Sequence, residues 1–161
     1  MKCKKKWLTV LLLLVFVSAG LTAIDIDYHT GVGISIPYVE SQAVFAFPSL
    51  YGGLGANLTP KLALGIEYEV FGMYLMGYGF FAHLPKAYLK FDMAPSFTLT
   101  GVGGVFFPTV FSPDDSETIT EANRGFVGAR ATLFFLYGEY LFLIDDEEPV
   151  GLLSLGAAIK R

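Results

Sequence analysis

The 161-residue chain holds one cysteine, one tryptophan and two histidines. A lone cysteine, Cys3, excludes an intrachain disulfide and every CxxC or zinc spacing. Charge is scarce. Only 16% of the residues are Asp, Glu, Lys or Arg, against roughly 25% in soluble domains. The positive charge is also badly placed for a nucleic-acid binder. Lys2, Lys4, Lys5 and Lys6 stand at the extreme N-terminus, leaving seven of the eleven basic residues against fifteen acidic ones. An acidic body offers no footprint for phosphate, so no nucleic-acid partner is expected. After residue 24 no apolar run is long enough to cross a bilayer as a helix. The run Gly101-Val102-Gly103-Gly104 opens no helix and reads as narrow wall rather than as a phosphate loop.

Apolar and small residues are plentiful: 53% hydrophobic, 16% aromatic and 18 glycines, with a mean hydropathy of +0.54. One domain of this length cannot enclose that much apolar surface, so part of it should face lipid or a partner. The N-terminus has its own logic. A basic stretch, Met1 to Lys6, precedes an apolar run from Trp7 to Val17, and then come Ser18, Ala19, Gly20, Leu21, Thr22 and Ala23. This is the layout of a cleaved secretory signal, with cleavage expected after Ala23. Residues 1–23 are therefore expected to be signal peptide and residues 24–161 the mature domain.

That domain shows period-two alternation. Ile26, Tyr28, Thr30, Val32, Ile34, Ile36 and Tyr38 share one face, and Asp27, His29, Gly31, Gly33 and Ser35 the other. Leu50, Leu54, Ala56 and Leu58 alternate with Tyr51, Gly53, Gly55 and Asn57, and Thr59-Pro60-Lys61 makes a turn. The return strand sets Leu62, Leu64, Ile66, Tyr68 and Val70 against Ala63, Gly65, Glu67 and Glu69. Tyr78 to Met93 reads as one long strand with a bulge near Pro85, because proline cannot donate to a ladder. It turns Lys86, Tyr88, Lys90 and Asp92 inward. Two short strands are the alternative, giving an odd total that single-chain bacterial barrels disfavour. Phe97–Phe107, Arg124–Leu133, Leu136–Ile144 and Val150–Lys160 complete eight strands, with Pro108 to Asn123 a polar loop. Gly52-Gly53 and Gly103-Gly104 are candidate bends or bulges.

The expected fold is an all-β, eight-stranded antiparallel up-and-down transmembrane β-barrel. Its outside is apolar, because a charge on the lipid face costs up to about 2–4 kcal/mol. A soluble lipocalin-like barrel would show the reverse pattern. The inward charges are Glu67, Glu69, Lys86, Lys90, Arg130 and Glu139. Enclosed together in a narrow barrel they should pair and plug it. Two acidic clusters fall on extracellular loops: Asp114, Asp115, Glu117 and Glu121, and then Asp145, Asp146, Glu147 and Glu148. They read as solvated loops more readily than as sites collecting divalent cations with lipid phosphates.

The chain resembles the small outer-membrane β-barrels of the OmpX, OmpW and OmpA-membrane-domain type. The signal peptide, the hairpin Asn57-Leu58-Thr59-Pro60-Lys61-Leu62-Ala63-Leu64-Gly65 and the strand Tyr137-Gly138-Glu139-Tyr140 carry the resemblance. It implies residence in the outer membrane, with lipids and the barrel-assembly machinery as partners. It departs from that pattern at its end, Ala158-Ile159-Lys160-Arg161, where such barrels finish on an aromatic residue.

The function expected is structural or surface-interacting, with no cofactor, no catalytic residue and an unknown surface ligand. A narrow channel or lateral port for small hydrophobic molecules is the alternative. An apolar funnel from Phe106, Phe107 and Phe111 would favour it, and a charged plug would oppose it. A lipid-modifying enzyme is a third reading. It needs His29 beside a hydroxyl and a carboxylate, and His29 is expected instead to be a lumen histidine. His83 is expected in the periplasmic half.

Overall fold

The computed structural model describes residues 25–39, 42–43, 45–76, 78–111, 116–118, 123–144 and 150–160. The signal segment 1–23 lies outside them. Eight long strands form the wall: β1 (Ile26–Val39), β3 (Phe47–Thr59), β4 (Leu62–Leu75), β5 (Tyr78–Ala94), β6 (Phe97–Phe111), β8 (Arg124–Leu133), β9 (Leu136–Ile144) and β10 (Val150–Lys160). Two short strands, β2 (Gln42–Ala43) and β7 (Ser116–Thr118), extend the rim by pairing with β1 and β6. Each long strand is antiparallel to the next. The last closes on the first, from His29↔Lys160 to Val39↔Val150. Closure follows from the medium, since an open edge in lipid would leave a row of backbone groups without partners.

The expected inside-out pattern is present. Ile66 is 72% exposed while Glu67, its neighbour in the chain, is 3% exposed. Short turns at Pro60-Lys61, Pro95-Ser96 and Phe134-Phe135 lie at the end where β1 begins and β10 finishes, the terminal end of the barrel. Barrels of this kind place their short turns on the periplasmic side. The rim near Leu75, Phe111 and Ile144 is then extracellular.

Two expectations about the strands are corrected. No bulge occurs at Pro85. The β5–β6 ladder keeps one register from Gly79↔Phe111 to Asp92↔Thr98 and shifts only beside the turn, between Asp92 and Ala94. Pro85 pairs with Tyr68 on the β4 side. On the β6 side the ladder skips it, and Gly104 allows close approach: a Cβ there would strike the Pro85 carbonyl. Register also runs unbroken through Gly52-Gly53 and Gly103-Gly104. The second correction concerns 108–123, expected to be loop throughout. The β6 strand continues to Phe111 and pairs there with β7.

Candidate functional site in the lumen

The interior has two layers. The layer nearer the termini and mid-wall is polar. On β4 and β5, Glu67 and Lys86 are cross-strand partners. On the facing wall Arg130 and Glu139 are cross-strand partners on β8 and β9. Across the lumen the two pairs exchange partners. Arg130 Nη1 and Nη2 donate to Glu67 Oε2 and Oε1 at 2.7 and 2.6 Å, a bidentate fork. Arg130 Nη2 also lies 2.5 Å from Glu139 Oε2. Lys86 Nζ donates to Glu139 Oε1 at 2.5 Å and to Glu69, and lies 3.2 Å from Glu67 Oε1. Ser35 on β1 donates to Glu69 Oε1 at 3.2 Å and shares a 2.7 Å hydrogen bond with Ser154 on β10. Five of the six charges expected in the lumen, Glu67, Glu69, Lys86, Arg130 and Glu139, thus meet in one cluster.

The sixth, Lys90, donates to Asp27, which also accepts from Tyr88 Oη at 2.8 Å. His29 bridges the two groups: Nε2 lies 2.8 Å from Glu67 Oε2, and Nδ1 lies 3.5 Å from Asp27 Oδ2. Asp27 was absent from the expected charge set. Its alternation with Tyr28 and its place on the His29 face are the signal that would have found it. Among the described residues no serine or threonine hydroxyl bonds His29; its ring meets Tyr88 edge-on at 4.9 Å.

Tyrosines fill what the charges leave. Arg130 Cζ sits 4.0 Å above the Tyr51 ring, a cation–π arrangement. Tyr51 and Tyr137 meet edge-to-face at 5.1 Å. Their room comes from inward glycines. A Cβ on Gly31 would enter the Tyr51 ring, one on Gly33 or Gly156 would meet Tyr137, and one on Gly55 or Gly65 would meet Tyr88. Below the network a residual space of about 30 Å³ is lined by His29, Tyr51, Lys90, Thr98, Thr100, Arg130, Thr132 and Ala158. That is room for a water or two.

The second layer, toward the extracellular rim, is apolar, which the expectation of a polar lumen did not include. Phe71, Ala82, Leu84, Val102, Phe126, Leu141, Leu143 and Leu152 form a buried cluster, with Phe47, Phe80 and Phe106 packed against it. Phe71 stacks with Phe47, Phe80 and Phe106 at ring separations of 6.0 to 6.3 Å. Of the three phenylalanines considered for a funnel, only Phe106 belongs to this cluster. Phe107 lines a groove on the outer wall, and Phe111 meets Phe81 at 5.8 Å. His83 is also corrected. It lies in the half of β5 farther from the termini, and its Nδ1 is 2.7 Å from Tyr68 Oη, a side chain of the outer row.

Of the acidic loop residues, Asp114, Asp115, Glu121, Asp145, Asp146, Glu147 and Glu148 lie outside the described residues. Glu117 is on β7, opposite Val110.

A closed antiparallel barrel with an apolar exterior and an ion-paired interior is a transmembrane β-barrel of the small outer-membrane type, and its place is the outer membrane. Solved structures share the fold. Ail, the attachment invasion locus protein of Yersinia pestis, superposes with a TM-score of 0.57 at 13% identity, over 84% of this chain and 97% of that one. Ail in complex with the heparin analogue sucrose octasulfate gives 0.55 at 13% identity, over 86% and 99%. Neisserial surface protein A gives 0.51 at 10% identity, over 84% and 97%. At these identities the likeness is one of fold. No family model matches the sequence, and no curated protein matches it.

Proposed function

We propose that this protein is a non-conducting, non-enzymatic surface barrel: a rigid stave in the outer membrane that carries its extracellular loops. The observation behind this reading is the Arg130–Glu67–Lys86–Glu139 network, which spans the lumen from wall to wall beneath a packed apolar layer. Charges joined in this way have no cheap route to part, because each separation would leave an unpaired ion in a low-dielectric interior. His29 engages two carboxylates, as expected of a lumen histidine and not of a general base beside a nucleophile.

The loops are the parts left to meet a partner. Ail is known with a polyanion, sucrose octasulfate. The sequence between β6 and β8 and between β9 and β10 carries Asp114, Asp115, Glu117, Glu121 and the run Asp145–Glu148, so complementarity favours a cationic partner surface. Planar-bilayer recording tests the central claim. The folded chain should add no steady ionic conductance; discrete conducting steps at neutral pH would overturn it.

A further inference from the structure

One polar pair stands on the outer wall, among hydrocarbon-facing side chains. Tyr68 on β4 and His83 on β5 bond at 2.7 Å, held side by side by Tyr68↔Pro85 and Val70↔His83. Tyrosine hydroxyl and neutral imidazole together carry two donor hydrogens. Their mutual bond spends one. If Tyr68 donates to Nδ1, the proton on Nε2 is left over; if Nδ1 donates, the hydroxyl proton is. Either tautomer therefore presents one unspent donor on the lipid-facing side of the wall. Among the described residues no other side-chain hydrogen bond involves the pair.

Directly beneath it runs a groove of about 760 Å³. Its sides are Tyr28, Leu54, Ile66, Val105 and Phe107, with Tyr68 itself on the edge. Its floor is low because Gly52, Pro85 and Ala87 offer little side chain there. A Cβ at Gly52 would meet nothing within 4 Å. The groove crosses five strands, along the row Tyr28↔Leu54, Leu54↔Ile66 and Ile66↔Ala87 and then to Val105 and Phe107 on β6. Four strand spacings give it a length of about 19 Å. It is long, narrow, apolar and wide open to lipid, with a single donor at one side.

We infer that this groove seats one acyl chain of an outer-leaflet lipid, whose ester carbonyl accepts a hydrogen bond from the Tyr68–His83 pair. The carbonyl supplies the missing acceptor, and the chain fills the trough. The leaflet follows from His83 lying in the half of β5 away from the termini. The inference is independent of whether the lumen conducts.

The test is photo-crosslinking of the chain folded into nanodiscs that contain a trace of phosphatidylethanolamine with a diazirine on one acyl chain. Label is expected to concentrate on the β3, β4, β5 and β6 segments bordering the groove. It should fall severalfold in Gly52→Leu, with Ala87→Leu as a second filled variant; a boiling-dependent gel shift checks that each is folded. Label spread evenly around the wall, including Val127, Tyr140 and Leu155, overturns the proposal. The double variant Tyr68→Phe, His83→Phe should also lower groove labelling severalfold, and unchanged labelling overturns the hydrogen bond. A diazirine fatty acid is the second arm. Groove labelling by the free acid but not by the phospholipid overturns the membrane-lipid occupant.

Discussion

Arg130 holds two carboxylates at once, Glu67 through a fork and Glu139 through a shared nitrogen. Replacing it with leucine leaves both buried carboxylates with one partner fewer. Breaking a buried pair from one side costs about 3–5 kcal/mol. Arg130→Leu should therefore lower the urea midpoint of the barrel in detergent micelles markedly, and an unchanged midpoint would count against the network as a stabiliser. Lys90→Met removes a cation whose one ion-pair partner among the described residues is Asp27, at the margin of the cluster, so a smaller drop is expected in the same titration. The sequence placed six charges inside because parity along a strand gives the face of every side chain. It could not place Arg130 on Glu67, since that distance depends on how far apart two non-adjacent walls stand. Asp27 and His29 lay on the right face too, but nothing in one strand says which lumen carboxylates a histidine will bridge.

At the scale of a strand, inward glycines fall into two kinds. The nearest atoms to a Cβ on Gly31 belong to the Tyr51 side chain, whereas the nearest to one on Gly65 are backbone atoms of Leu54 and Gly55 on the neighbouring strand. Gly31→Ala should destabilise the barrel, and Tyr51→Leu in the same chain should recover much of the loss. Gly65→Ala should not be recovered by Tyr88→Leu, because the obstruction is main chain. Thermal unfolding of the four variants in one detergent separates the cases; rescue of Gly65→Ala would refute the distinction. Strand number and facing were legible from alternation. Pro85 misled, because its missing donor was read as a break in register. Gly104, the partner of Lys86, instead lets β6 come close to the Pro85 carbonyl. The apolar layer was equally hard to read. Near the rim both faces of a strand are hydrophobic, as in Leu141-Phe142-Leu143-Ile144, and alternation no longer separates lumen from lipid.

For the whole molecule, the proposed non-conducting function makes the two layers seals in series. Phe126, 1% exposed, sits in the upper one. Phe126→Ala should cost about 3–5 kcal/mol yet pass no current in planar bilayers, since the charged layer beneath it is untouched. Current should appear only when Arg130→Ala is added. Conduction by Phe126→Ala alone would show that the charges do not block ions. The joint between β1 and β10 carries a further consequence. It unites the first and last of the described strands along eleven residue pairs, His29↔Lys160 to Val39↔Val150, so a barrel that has not yet received β10 is a curled sheet with two raw margins. Each margin is a template for a stranger's strand. A truncated copy is thus not a smaller version of the molecule but a sticky one. Until β10 arrives, β1 must be kept from zipping to the wrong neighbour, and the last stretch of sequence decides whether the preceding strands become a wall or a clump.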